Sequence, residues 1–216
     1  MTTPYTIIIL GGTGQVGAAV VRALLNSSQC REVIMITRRA VANAVRERVR
    51  TVVMDTEAPG FEREVAALVR NTPRPVYGVS CVGIGSGTAK LSDEAILKLE
   101  VGVVGAFARG CKAGGIESFA LLSAAGASSR SWIRYSRLMG RKEDTVRAVG
   151  FSRLAIFRPG IIAGNVHTPA YVAAFGRLLP GMGGTMEQDD IGKAFVRDLE
   201  RGESGGTTIL HKRDMR

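Results

Sequence analysis

Ile7-Ile8-Ile9-Leu10-Gly11-Gly12-Thr13-Gly14-Gln15-Val16-Gly17 joins an apolar run to a glycine-rich turn, and an amphipathic helical pattern begins at once. Gly11, Gly14 and Gly17 recur every third residue, and Gly12-x-Gly14-x-x-Gly17 reads as a G-x-G-x-x-G fingerprint. Glycine serves here in three ways. The strand must turn sharply into a helix, the backbone must approach a pyrophosphate closely, and the helix must pack tightly on the strand. Phosphates would then sit on unpaired backbone N–H groups at a helix N-terminus, where the macrodipole favours anions. A glycine triplet alone means little, because tight turns need glycine anyway. Between a first strand and a first helix it points to dinucleotide binding.

Outward from this stretch, strand-like and helix-like segments alternate, the pattern of parallel α/β units. The periodicity predicts strands at 5–10, 32–37, 49–54, 76–82, 118–123 and 154–158. Helices are predicted at 15–26, 61–70, 92–111 and 131–148, with Ser92 as an N-cap and the run Lys112-Ala113-Gly114-Gly115 ending the third. Beyond Gly160 the pattern loosens. A short helix at 171–179, a loop at 181–184, a helix to Arg201 capped by Asp189 or Asp190 and a strand at 207–210 are expected. The fold class is α/β, a doubly wound, mostly parallel sheet of Rossmann type. One domain spans 1–216, with a core at about 5–165 and a small C-terminal elaboration at 166–216.

A length of 216 residues is ample for one core, and 45% apolar with 22% charged residues is ordinary for a soluble globule. Met1 to Pro4 lead straight into the first strand, which leaves no room for a signal peptide. No apolar run approaches the roughly 20 residues of a membrane span, so cytoplasmic placement is the default expectation. Cys30, Cys81 and Cys111 are odd in number and widely spaced, which suits reduced thiols and supplies no metal spacing. The net charge of +10 raises nucleic acid as a partner. Against it, the basic residues are scattered with few aromatics between them. Only Arg38, Arg39, Arg46, Arg48 and Arg50 are dense, and a solvated basic face serving an anionic cofactor is the plainer account.

The end of the second strand separates two dinucleotides. NAD-binding chains commonly place Asp or Glu there to accept from the ribose hydroxyls. This chain reads Thr37-Arg38-Arg39. Guanidinium groups can grip a 2′-phosphate that a carboxylate would repel, so NADP(H) is favoured over NAD(H), with Arg38 and Arg39 as the clamp. Asp55, ending the third strand, either reaches the adenine amino group or is an ordinary turn aspartate. Val82 and Gly83 end the fourth strand and should line the cofactor, since ligands lie outside the carboxyl ends of such strands. Cys81 is expected to be a packing residue.

Ser123 ends the fifth strand and Tyr135 follows twelve positions later on the helix predicted at 131–148. Several segments occur in the order and spacing of a known family: Gly11 to Gly17, Thr37-Arg38-Arg39, Lys112-Ala113-Gly114-Gly115, Leu121-Leu122-Ser123-Ala124-Ala125-Gly126-Ala127 and Phe157-Arg158-Pro159-Gly160. Over about residues 5–165 the chain resembles the atypical short-chain dehydrogenase/reductases of the Tat-interacting-protein-like branch, relatives of the epimerase/dehydratase and NmrA-like proteins. The resemblance implies a Rossmann fold, bound NADPH and cofactor contacts at Thr13, Gly14, Gln15, Val16, Arg38, Arg39, Val82, Gly83 and Ile162. It makes Tyr135 the proton donor and Ser123 the residue that orients the substrate oxygen. The family lysine, four residues after the tyrosine, corresponds to Met139.

Without a cationic neighbour, a tyrosine titrates near pH ~10. That handicaps alcohol oxidation more than carbonyl reduction, where the protonated phenol is the donor. Lys142 does not simply replace the lysine, because seven residues past Tyr135 it lies roughly 10 Å from that tyrosine along the helix axis at ~1.5 Å per residue, and neither Arg137 nor Arg141 is better placed. A helix aromatic with its hydroxyl satisfied is the competing account of Tyr135. Gly102, Gly105 and Gly110 suggest the close approach of another helix, within the chain or across a homodimer. Trp132 is expected in the core or in helix-start packing, and His167 at the surface. Two readings result: an NADP-dependent reductase of a small carbonyl substrate, or a non-catalytic NADP(H)-binding protein that presents a surface to a protein partner.

Overall fold

The computed structural model describes residues 3–41, 47–83, 91–162, 185–202 and 205–215. The expected helix at 171–179, the loop at 181–184 and His167 lie outside them. Strand β1 (Tyr5–Leu10) leads through the glycine turn into α1 (Gln15–Asn26), followed by β2 (Cys30–Thr37), β3 (Val49–Val53), α2 (Phe61–Arg70) and β4 (Val76–Ser80). A short helix α3 (Asp93–Ile96) continues through a π-helical stretch (Leu97–Val103) into α4 (Val104–Ala113). Next come β5 (Ser118–Leu122), α5 (Arg134–Arg147), β6 (Arg153–Arg158), β7 (Ile161–Ile162), β8 (Thr185–Met186), α6 (Gln188–Arg201) and β9 (Gly206–His211).

Seven strands form one sheet in the order β3-β2-β1-β4-β5-β6-β9, and every pairing in it is parallel. The unbroken apolar run of β1 explains its central place. Ile7 and Ile9 enter one core layer with Val20 and Leu24 of α1 and Phe195 of α6. Ile8 and Leu10, on the alternate face, enter a second layer with Phe61 and Val65 of α2 and Phe107 of α4. A strand buried on both faces needs apolar residues at every position. The strand order reverses between β1 and β4, which opens the crevice where such sheets bind ligands.

Most predicted elements match within one or two residues, and Ser92 caps α3 by accepting from Ala95 N at 3.2 Å. Four expectations change. The helix to Arg201 begins at Gln188, so Asp189 and Asp190 occupy its first turn and Glu187 is its cap position, without a side-chain bond. Asp189 instead pairs with Arg22 at 2.6 Å. The fifth helix starts at Arg134 because Ser131 Oγ takes the N–H of Ile133 at 3.2 Å and holds the chain in a turn. Trp132 therefore stands outside the helix and is 97% exposed, not in the core. Finally, β9 pairs with β6 and α6 packs on α1 so closely that a Cβ on Gly192 would meet Ala19 O at 2.6 Å. The sheet and its helix layer thus extend past the expected boundary near 165.

The three cysteines are buried free thiols. Burial pushes the Cys30 thiol up to about 11 and the Cys81 thiol up to about 12, which leaves both inert near neutral pH.

Candidate functional site

The three glycines of the first turn have separable roles. Gly11 has φ +84°, a left-handed backbone, and a Cβ there would lie 2.7 Å from the Cys81 and Val82 backbone. A Cβ on Gly17 would stand 2.0 Å from Gly11 O, so this glycine lets α1 seat against the turn. Gly14 differs: the nearest atom to its Cβ would be Gly11 O at 3.4 Å, and the space in front of it is open. Gly14 is also the N-cap of α1, with no side-chain cap and no acidic residue in the first turn. The N–H groups of Gln15, Val16 and Gly17 thus begin a helix whose positive end faces the crevice.

The crevice is a cleft of about 540 Å³. It is lined by Gly11, Thr13 and Gly14 after β1, by Thr37, Arg38, Arg39 and Thr56 after β2 and β3 on one side, by Val82 and Gly83 after β4 on the other, and by Leu99 and Val103 of the π-helical stretch. Arg38 and Arg39 are exposed at the rim. The hydroxyls of Thr37 and Thr56 are buried with no hydrogen-bond partner among the described residues, so this side holds polar groups that a ligand could satisfy. Asp55 is exposed and its Oδ1 accepts from Glu57 N at 3.0 Å, closing a turn, while the adjacent Thr56 faces the cleft. Ile162 is half-buried in β7, against the core layer that contains α1. Arg48 and Arg50 have other work: Arg48 donates to Ser27 O at 3.2 Å and Cys30 O at 3.0 Å, and Arg50 pairs with Glu32 at 3.0 Å.

Around the fifth strand, several charged side chains are buried. Ser123 Oγ donates to Glu143 Oε1 at 2.6 Å. Glu143 also receives Arg158 at 2.6 and 2.8 Å and Arg147 at 2.9 Å. A hydroxyl has one proton to donate, so in this geometry Ser123 can only accept from a substrate. Tyr135, in the first turn of α5, is 36% exposed. Partial desolvation, and then the Glu100 carboxylate, push its phenol up to about 12. Met139 is 1% exposed in a small apolar cluster with Ile96, Ala127 and Leu138. Lys142, three positions on, is buried and donates to Glu100 Oε2 at 2.8 Å and Val82 O at 3.2 Å. Sequence reasoning missed Glu100 and Glu143. A usable signal existed: Lys142 and Glu143 fall on the inward stripe of α5 with Leu138, Met139 and Val146, where a charge must be paired.

A doubly wound parallel sheet with an uncapped glycine turn at its switch point defines the Rossmann class. Within it, the model of the NAD dependent epimerase/dehydratase family matches residues 7–131, and the chain belongs to that family. Among curated proteins, it is 32% identical over 181 residues to "Protein fmp52, mitochondrial" of Aspergillus clavatus, covering 82% of this chain and 75% of the relative. The protein of the same name from Emericella nidulans is 29% identical over 202 residues, covering 88% and 85%. Among solved structures, the oxidoreductase ylbE from Lactococcus lactis superposes with a TM-score of 0.70 at 15% identity, over 95% of this chain and 89% of that one. The Bordetella bronchiseptica enzyme WbmH, solved in complex with NAD+, gives 0.67 at 16% identity over 95% and 74%. These structural likenesses speak to the fold. No helix among the described residues is long and apolar enough to cross a membrane.

Proposed function

We propose that this chain binds NADP(H) in the cleft and reduces a small carbonyl substrate with Tyr135 as proton donor. The observation that carries the cofactor half is that Arg38 and Arg39 line the cleft together with Thr37 and Thr56, whose buried hydroxyls have no partner among the described residues, with no carboxylate at the end of β2. The residues present fit the group: open space before Gly14 for the pyrophosphate, α1 N–H groups facing it, and guanidiniums for a 2′-phosphate. NADPH, when bound, supplies the hydride that the carbonyl carbon accepts. Tyr135 gives its hydroxyl proton to the carbonyl oxygen and is reprotonated from water. A phenol held at about 12 stays protonated at neutral pH and so has a proton to give, but as a weaker acid than an ordinary tyrosine, and it opposes the reverse oxidation.

A second reading is favoured by the surroundings of Ser123 and Met139. The Ser123 proton is spent on Glu143, and the family lysine position is filled by a core methionine. A binding protein whose cofactor organises a surface for a partner would need neither group. Two measurements separate the readings. Calorimetric titration should give tighter NADPH than NADH binding, and Arg38→Ala with Arg39→Ala should weaken NADPH by about 2 kcal/mol or more, the scale of lost charge-assisted bonds. Equal losses for both cofactors would remove the NADP assignment. NADPH oxidation against aldehydes, ketones and quinones, abolished by Tyr135→Phe, supports the reductase, whereas saturable binding without turnover supports the binding protein. The curated relatives are named as mitochondrial proteins, and fractionation of cells expressing a tagged chain decides between that compartment and the cytoplasm.

A further inference from the structure

Lys142 and Glu100 form an ion pair whose side chains are 2% and 1% exposed. Proton donation by Tyr135 does not require it. Stability does not explain it either, because desolvating two charges offsets their attraction and an apolar pair of similar volume often serves as well. Its placement is informative. The last ladder bond of β4 is Cys81 N to Leu10 O at 2.8 Å, so the carbonyl of Val82 projects past the sheet. Lys142 Nζ meets that carbonyl at 3.2 Å. Glu100, which holds the ammonium, belongs to the π-helical stretch, and its neighbours Leu99 and Val103 line the cleft. A Cβ on Gly83 would come within 3.9 Å of Glu100 Oε1, so the carboxylate sits directly behind the cleft wall. Single-turn π-helical widening recurs at functional sites, where it re-aims side chains.

We propose that Glu100 and Lys142 are the positioning pair of this site: by tethering the Val82 carbonyl they hold the end of β4 as the floor beneath the nicotinamide half of the cofactor. This rests on the dinucleotide reading. The sheet order supports the choice of half. Arg38, Arg39 and Thr56 follow β2 and β3, on one side of β1, and belong to the adenosine end. Val82 and Gly83 follow β4, on the other side, towards β5, and Glu100 behind them is near enough to Tyr135 to raise its phenol. With methionine at 139, the lysine one turn further on anchors the protein wall of that half from behind.

The test uses Glu100→Leu with Lys142→Met, which removes both charges of the pair together. Wild type and variant are titrated with NADPH and with adenosine 2′,5′-bisphosphate, which carries the adenosine half alone. The expected result is a loss of about tenfold or more for NADPH, the effect of one lost charge-assisted bond, with the bisphosphate held within about twofold. Losses equal for both ligands mark a merely structural pair, and no loss for either is equally fatal. If the double variant does not fold, Lys142→Met alone serves, and the same split is required of it. Wild-type protein that binds neither probe would overturn the dinucleotide reading itself, an outcome distinct from an unsplit loss in the variant.

Discussion

A methyl group has no room at Gly17, where it would press on Gly11 O at 2.0 Å, but it has room at Gly14. The two glycines should therefore fail differently when substituted. Gly17→Ala should cost at least about 3 kcal/mol, the upper range for overpacking against backbone that cannot yield, read as a fall in the urea midpoint. Gly14→Val should cost only about 1 kcal/mol as a poorer cap. It should nonetheless abolish the rise in melting temperature that NADPH gives the wild type, because the side chain takes the pyrophosphate's place. Tyr135 supplies a second test at this scale. An ordinary tyrosine is half ionised near pH ~10, whereas Tyr135 is held at about 12 by burial and by Glu100. The difference in tyrosinate absorbance between wild type and Tyr135→Phe should stay near zero at that pH. The folded-state value is raised, so this group's contribution to stability is complete below the unfolded value and is lost as pH rises from there towards 12.

The long helical run from Asp93 to Ala113 packs on two neighbours, and its glycines record where. A Cβ on Gly105 would meet Thr145 Cγ2 of α5 at 2.8 Å, and one on Gly110 would meet Glu62 O of α2 at 2.6 Å. Both contacts lie within the chain. Gly102 is unlike them: its nearest contact would be Leu97 O at an ordinary 3.7 Å, so no helix demands glycine there. Alanine gains about 1 kcal/mol over glycine in a helix interior. Gly102→Ala should therefore leave the melting temperature level or raise it. Gly110→Ala should lower it, the clash outweighing propensity for a net cost of about 2 kcal/mol.

Across the molecule, the 0%-exposed carboxylate of Glu143 joins three elements: Ser123 at the end of β5, Arg158 at the end of β6 and its own helix through Arg147. Glu143 in turn raises the Arg158 guanidinium above its ordinary value by hydrogen bonding, against the effect of burial. Removing one member of such a buried network strands the others, so Glu143→Ala should cost about 3–5 kcal/mol in chemical denaturation. Ser123→Ala deletes one of the donors to this carboxylate and should cost about 2 kcal/mol. If Ser123 acts only as a support of this hub, the smaller change should also leave NADPH affinity unaltered. The contrast matters because Ser123 alone was visible as a site residue from the sequence, and the hub it serves was not.

Local chemistry determined a large part of this protein. The apolar β1 run, the glycine spacing, the Ser92 cap and the amphipathic periods of α1 and α2 specify a doubly wound parallel sheet, because each is a property of residues within a few positions of one another. The same locality made Arg38 and Arg39 conspicuous at the end of β2. Tertiary structure alone decided the rest. The bond from Lys142 to Val82 spans 60 positions, that from Lys142 to Glu100 spans 42, and β9 joins β6 from beyond residue 205. No periodicity encodes such partners. Whether Lys142 is a solvated helix residue or the anchor of a cleft wall, and whether Trp132 is core or surface, depends on what the rest of the chain brings against it. Burial of a charge or an indole is a free energy shared between elements, and it exists only once they have packed.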